Sequence, residues 1–214
     1  MLIGLTGTYC AGKNHVATLL ADRGLPVLDV DKLGHVCLEN RKDLVFSRFG
    51  PDVKTPDGSI DRRKLGAKVF GNRAEMAALE AIVHLEANRM TLEWISAHGG
   101  DGPGGETCVI NAALLHKSVV FGQLDHIILV HAPWIVRLIR ARRRDGLPLA
   151  ALLRRFASQK QFASQYLAGS ADIYRVGNPG IGKPVLPRSF GRRKTRSEQR
   201  LEQKIDTFLA NLKP

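Results

Sequence analysis

Short apolar runs alternate along this chain with stretches in which apolar residues recur every three or four positions. Such runs are typical of strands buried in a parallel sheet. They lie at residues 2–6, 25–31, 108–110, 126–130 and 171–176. Helical periodicity follows the first run and also closes the chain. This alternation predicts an α/β fold, with a parallel sheet flanked by helices on both faces.

The region between the second and third apolar runs predicts a helical insertion. Residues 32–97 are mostly helical in pattern, and they contain turns marked by proline and glycine. A length of 214 residues fits one domain of ordinary size. We therefore expect a single domain whose core comprises residues 1–31, 106–136 and 168–214.

A glycine-rich segment follows the first apolar run and precedes a helical pattern. Gly7 and Gly12 enclose four residues, and Lys13 comes directly after them. A loop of this spacing turns backbone N–H groups around a phosphate, while the lysine reaches the outer phosphates. The sequence therefore predicts a nucleotide phosphate loop at residues 7–13. Asn14 stands where this motif calls for a serine or threonine that holds magnesium.

Two carboxylates close the second apolar run. Asp29 and Asp31 stand two positions apart, so in a strand their side chains point to the same side. Open α/β sheets place their ligand sites at the carboxyl ends of the strands. We expect Asp31 to face the ligand and Asp29 to have a structural role.

The formal net charge of +12 raises the question of a nucleic-acid partner. Many of the positive charges fall in two runs, at residues 137–155 and 188–196. The first run has helical spacing and suits a small phosphorylated ligand equally well. The second has the character of a solvated tail. We expect no nucleic-acid partner.

Composition and cysteine content narrow the class of protein further. Hydrophobic residues make up 44% of the chain and charged residues 24%, which is typical of a globular protein, and no apolar run is long enough to cross a membrane. The three cysteines follow no zinc or disulfide spacing. We expect a cytoplasmic protein with no membrane partner. An oligomer is possible, but the sequence gives no evident sign of one.

Taken in order, several motifs resemble the dephospho-CoA kinase family over most of the chain. The shared segments are Gly4-Leu5-Thr6-Gly7, Asp29-Val30-Asp31, Gly58 to Leu65, Leu79-Glu80 with His84, Arg140 to Asp145, Arg155 to Gln159, and Ala171-Asp172 followed by Asn178. A phosphate loop alone is common to many families, but this ordered set is specific.

The resemblance implies a P-loop fold similar to that of nucleoside-monophosphate kinases. It makes residues 32–97 the acceptor-binding insertion and residues 137–167 a helical lid that closes over the phosphates. The implied reaction transfers the γ-phosphate of ATP to the ribose 3′-hydroxyl of dephospho-CoA, with Mg²⁺ as cofactor. The products are coenzyme A and ADP.

The resemblance also implies roles for individual residues. Lys13, Asp31 and Arg140 are the expected catalytic residues. Asn14 and Asp31 are the expected metal ligands. Acceptor binding falls to Asp31, Arg62 and His84, although a histidine at such a helical position is equally well a buried core residue. The expected ATP-binding residues are Cys10, Ala11, Gly12, Lys13, Asn14, His15 and Arg144.

The chain departs from the family's pattern at a few positions, which leaves alternatives open. Asn14 replaces the usual hydroxyl. Ala113 stands where the family has a proline, and Lys117 replaces a glutamate. The alternatives are a kinase for another nucleoside or nucleotide acceptor, or a catalytically impaired relative with a nucleic-acid-binding or regulatory role.

Overall fold

The computed structural model describes residues 1–99, 105–159, 162–166, 171–180 and 195–212. The chain divides into two compact units. One comprises Met1–Val27 together with Gly99–Pro214, and the other comprises Leu28–His98. Residues 32–97, the predicted helical insertion, fall within the second unit. Most of the basic run at residues 188–196 lies outside the described residues.

A five-stranded sheet organises the fold, and its strands other than β2 lie wholly in the first unit. The strands are β1 (Leu2–Gly7), β2 (Val27–Asp29), β3 (Cys108–Asn111), β4 (His126–His131) and β5 (Asp172–Gly177). Their order across the sheet is β2-β3-β1-β4-β5. The pairs β1 with β3, β1 with β4, and β4 with β5 are all parallel. The carboxyl ends of these strands therefore meet at one edge, where the phosphate loop begins.

Eight α-helices accompany the strands in the described part of the chain. They are α1 (Lys13–Ala21), α2 (Gly34–Asn40), α3 (Lys42–Phe49), α4 (Arg62–Val69), α5 (Arg73–Ala97), α6 (Trp134–Asp145), α7 (Leu149–Ala157) and α8 (Arg196–Asn211). Local capping explains several of their starts. Asp61 accepts from the N–H groups of Arg63 and Lys64 at the start of α4. Thr195 begins α8 with a complete capping box.

The core of the first unit forms where helices cover the sheet. Every residue of β1 is buried. Val16 and Leu20 of α1 and Ile205 of α8 pack into the same apolar cluster as Ile3 and Leu5. Burial of side chains of this size stabilises the fold by about 1.5 to 3 kcal/mol each. The apolar runs at β1, β3 and β4 thus form the centre of the sheet.

The second unit has its own apolar core and a buried charge. Val45, Phe49, Leu65 and Val69 pack together. Beyond them, Glu86 of α5 has a side chain only 1% exposed. Its carboxylate accepts from Arg89 at 2.5 Å, from Arg41 at 2.6 Å and from Asn40 at 2.9 Å. These donors, Arg89 foremost, lower the pKa of Glu86 to about 2.

The prediction for the second apolar run is wrong at its end. The strand stops at Asp29, and residues Val30–Lys32 form one turn of 3₁₀ helix closed by a hydrogen bond from Leu33 N–H to the Val30 carbonyl at 3.1 Å. Asp31 therefore lies on a helical turn, where the two-residue spacing no longer places it on the same side as Asp29. Asp29 pairs with Lys32 at 3.3 Å.

Candidate functional site

The phosphate loop at residues 7–13 joins β1 to α1 and takes the conformation that its sequence predicts. Cys10 and Gly12 both have positive φ, at 59° and 94°. The Ala11 N–H donates to the Thr8 carbonyl at 2.9 Å, which closes the first bend. Gly12 then serves as the N-cap of α1, and Lys13 is its first residue. The positive end of α1 thus lies at the loop, where an anion binds well.

Position 7, at the start of this loop, requires glycine because the backbone there lies close to β4. A Cβ atom at Gly7 would lie 2.8 Å from the Val130 carbonyl oxygen of β4. Thr8 N–H donates to that same oxygen at 3.3 Å. Any side chain at Gly7 would therefore push the loop away from the strand that supports it.

Polar side chains gather at the first turn of α1. The Asn111 amide, at the end of β3, donates to Asn14 Oδ1 at 3.3 Å. Asn111 is 1% exposed. Among the described residues, Asn111 Oδ1 and Thr8 Oγ1 are buried and have no hydrogen-bond partner. Buried polar atoms of this kind carry a free-energy cost unless another polar group completes their hydrogen bonds.

The guanidinium of Arg140 binds the carbonyl side of the loop. Nη1 donates to Cys10 O at 3.1 Å and to Ala11 O at 2.8 Å. Nη2 donates to Asn178 O at 3.0 Å and also to the Gly180 carbonyl. Burial lowers the pKa of Arg140. In this structure Arg140 contacts carbonyl oxygens, and its contact with a phosphate stays a prediction.

Tyr9 connects the tip of the loop to α6 and α7. Its hydroxyl donates to Asp145, and its backbone N–H donates to Gln159 Oε1 at 2.7 Å. The guanidinium carbons of Arg144 and Arg155 lie 5.1 Å and 5.8 Å from the centre of its ring. Arg144 also donates to Asp145 at 2.7 Å, and this bond lowers the pKa of that carboxyl. The predicted ATP-binding residue Arg144 thus lies beside the loop.

The departures near residue 113 belong to a different cluster. The Ala113 carbonyl lies 3.4 Å from both Thr6 Oγ1 and the hydroxyl of Tyr166, a residue with 0% exposure. His116 Nδ1 lies 3.3 Å from the same hydroxyl, and burial lowers the pKa of His116. Lys117 is exposed. Ala113, through its backbone carbonyl, and His116 thus lie beside a buried tyrosine.

Comparison with known proteins decides the family. The family model described as dephospho-CoA kinase matches residues 1–174. The chain belongs to the dephospho-CoA kinase family. A dephospho-CoA kinase of Treponema pallidum is 32% identical over 186 residues, covering 84% of this chain and 87% of the relative. One from Anaeromyxobacter dehalogenans is 36% identical over 161 residues, covering 74% and 75%.

Solved structures agree with this dephospho-CoA kinase fold. A crystal structure of a Thermus thermophilus protein matches with a TM-score of 0.72 and 29% identity, covering 100% of this chain and 98% of that one. The dephospho-CoA kinase of Campylobacter jejuni matches at 0.66 and 20% identity, covering 99% and 96%. A shikimate kinase of Bacteroides thetaiotaomicron matches at 0.54 and 12% identity, covering 98% of each chain. The last two show the fold alone, which is that of the P-loop small-molecule kinases.

The acceptor-binding residues expected for a dephospho-CoA kinase lie in the second unit. Asp31, Arg62 and His84 are all exposed. Arg62 is the first residue of α4, and His84 lies in the middle of α5. The exposure of His84 rules out the alternative of a buried core histidine. None of the described helices has both the length and the apolar character that a membrane span needs.

Sequence reasoning assigned no role to three residues of this dephospho-CoA kinase site. Asn111 donates to Asn14, Asn178 donates to the Ala11 carbonyl, and Tyr9, within the loop, donates from its hydroxyl to Asp145. Asn111 ends β3 and Asn178 follows β5. Because open α/β sheets bind ligands at the carboxyl ends of their strands, these positions could have indicated both residues. Tyr9 lies inside the loop motif, at a position where the motif specifies no residue type.

Proposed function

We propose that this chain uses ATP to phosphorylate the ribose 3′-hydroxyl of dephospho-CoA, which gives coenzyme A and ADP. One observation carries the proposal within the family: Gly12 adopts a left-handed conformation directly before Lys13, the first residue of α1. That arrangement is the folded form of a triphosphate-binding loop.

Donor binding falls to the loop and to arginines near it. Within residues 10–15, the N–H groups of Ala11 and His15 donate to loop carbonyls. The other backbone N–H groups of this segment bind the β- and γ-phosphates, and Lys13 supplies a cation beside them. Phosphoryl transfer depends on positioning the reactants and on neutralising charge on the transferred group, so these groups supply most of the catalysis. Arg144 lies over Tyr9 at the loop tip, which supports its role at the phosphates. Arg140 contributes through the loop carbonyls that it binds.

Acceptor activation falls to Asp31. A carboxylate orients the attacking hydroxyl and takes its proton as the new bond to phosphorus forms. Arg62 and His84 bind the phosphorylated and polar parts of the acceptor. Their exposure leaves these side chains accessible to a ligand. Residues 137–167 act as a lid, and the contacts of Tyr9 with Asp145 and Gln159 support this role.

The residues at the first turn of α1 fit a magnesium ion. The Asn14 carboxamide is an oxygen ligand of the class that Mg²⁺ binds. Thr8 Oγ1 and Asn111 Oδ1 are buried oxygens without a partner in the described structure. We assign Asn14 and Asp31 as the residues that hold the ion. When bound, Mg²⁺ neutralises charge on the phosphate oxygens during transfer.

A single assay tests the proposal. The purified chain is given ATP and Mg²⁺ with dephospho-CoA, adenosine or AMP as acceptor, and ADP formation is measured. We expect turnover with dephospho-CoA alone, and its near-complete loss in Lys13→Ala. Lys42→Ala, an exposed lysine of α3, is the matched control and retains activity. Turnover with adenosine or AMP but not with dephospho-CoA would assign a different kinase.

A further inference from the structure

We propose that Asn178 is a positioning residue that, together with Arg140, fixes the peptide between Ala11 and Gly12 so that the Gly12 N–H faces the bound triphosphate. The proposal rests on the nucleotide site of the proposed function. Asn178 follows β5 directly, at the sheet edge that carries the phosphate loop.

Two side chains hold one carbonyl oxygen. Asn178 Nδ2 donates to Ala11 O at 3.0 Å, and Arg140 Nη1 donates to the same oxygen at 2.8 Å. A carbonyl oxygen has two lone pairs, so both are occupied. The Ala11 carbonyl is therefore held on the outer, protein side of the loop.

Asn178 is itself held firmly. It is 8% exposed, and its backbone N–H donates to the His131 carbonyl at the end of β4 at 2.8 Å. Its own carbonyl accepts from Arg140 Nη2 at 3.0 Å. The arginine of α6 and the asparagine thus support each other as well as the loop, and Asn178 is anchored to the end of β4.

The geometry of the peptide bond links the position of the Ala11 carbonyl to the direction of the Gly12 N–H. In a trans peptide the carbonyl and the N–H of the next residue point in opposite directions. Because Ala11 O is held outward, the Gly12 N–H points to the inner side of the loop, toward the phosphate position at the start of α1. A flipped peptide would present a carbonyl oxygen to the phosphate and lose one donor.

Gly12 is adapted to the same contact. A Cβ atom built on Gly12 would lie 2.3 Å from Asn178 Nδ2 and 3.4 Å from Arg140 Nη1. Its φ of 94° is also one that residues with side chains rarely adopt. Glycine is thus needed here for the left-handed start of α1 and for the close approach of the asparagine amide.

The test replaces Asn178 by a residue of similar size without a donor. Asn178→Leu and its matched control Asn211→Leu, at the exposed end of α8, are titrated with tripolyphosphate, ADP and dephospho-CoA by calorimetry. We expect Asn178→Leu to bind tripolyphosphate and ADP about 10- to 100-fold more weakly, since the hydrogen bond from the Gly12 N–H to the charged phosphate is lost. Dephospho-CoA affinity and the control stay at the wild-type level. Wild-type affinity for tripolyphosphate in folded Asn178→Leu would overturn the proposal.

A second measurement uses the wild-type chain and so does not depend on folding of the variant. Tripolyphosphate is added to ¹⁵N-labelled protein, and the Gly12 amide proton is followed by NMR. We expect a large downfield shift as the N–H binds phosphate, and the absence of a shift at saturation would overturn the proposal. If the wild type binds tripolyphosphate but does not phosphorylate dephospho-CoA, the proposed function fails while the role of Asn178 stands.

Discussion

The Asn111 amide at the end of β3 donates to Asn14 Oδ1 on the first turn of α1, at 3.3 Å. This bond joins two carboxamides at the place where the motif calls for a hydroxyl that holds magnesium. Asn111 is buried and anchored in the sheet, whereas Asn14 is exposed. Asn111 therefore sets the direction of the Asn14 oxygen, as outer groups orient metal ligands elsewhere.

Removing this support should weaken the magnesium site. We expect Asn111→Ala to raise the Mg²⁺ concentration needed for ATP binding by about 10-fold, since loss of a group that orients a ligand has effects of this size. Asn14→Ser, which restores the motif's hydroxyl, should lower that concentration and make it insensitive to Asn111→Ala. Calorimetric titration of ATP at a series of Mg²⁺ concentrations measures both effects. An unchanged Mg²⁺ dependence in Asn111→Ala, with Asn211→Ala as control, would contradict this.

Loss of the buried carboxylate of Glu86 should destabilise the second unit. Its hydrogen bonds to charged groups are each worth about 1.5 to 3 kcal/mol, so we expect Glu86→Gln to lower the free energy of unfolding by about that amount at pH 7. Glu93→Gln, on the same helix but 62% exposed, should cost at most about 1 kcal/mol. Urea denaturation followed by circular dichroism measures both variants, and equal losses would contradict this prediction.

The contribution of Glu86 should also depend on pH in one direction. Its pKa falls from an ordinary 4.5 to about 2 in the folded chain, so the stabilisation is complete above pH 4.5 and is lost as pH falls toward 2. The difference in stability between wild type and Glu86→Gln should therefore shrink as the pH falls from 4.5 toward 2. A difference that stays constant over this window would show that the carboxylate charge is not what stabilises the unit.

The hydroxyl of Tyr9 should hold α7 against the phosphate loop. Tyr9→Phe keeps the ring beside Arg144 and Arg155 but removes the hydroxyl, which accepts from Arg155 of α7 at 3.3 Å and donates to Asp145 at the end of α6. One such bond is worth about 1 kcal/mol, so amide hydrogen exchange in α7 should speed up by about fivefold. Tyr174→Phe, whose hydroxyl donates to Lys204 O at 3.3 Å away from the loop, is the control. Equal exchange rates in Tyr9→Phe and wild type would argue against this connection.

Much of the fold followed from local patterns. The five apolar runs became the five strands, and Asp145 to Pro148 became the break between α6 and α7. These succeed because burial on both faces of a sheet and the turn preference of glycine and proline are properties of neighbouring residues. The strand after Leu25 was predicted too long because the 3₁₀ turn at Asp31 depends on backbone hydrogen bonds that side-chain alternation does not encode.

The sequence by itself determined the phosphate loop, since the spacing of Gly7, Gly12 and Lys13 is a local requirement of a loop that turns into a helix. Only the tertiary structure decided which residues support that loop. Asn111 and Asn178 lie roughly 100 and 165 residues beyond it in the chain and reach it because parallel strands end at one edge of the sheet. Their place depends on strand order, and strand order arises from packing of the whole sheet rather than from any short segment of sequence.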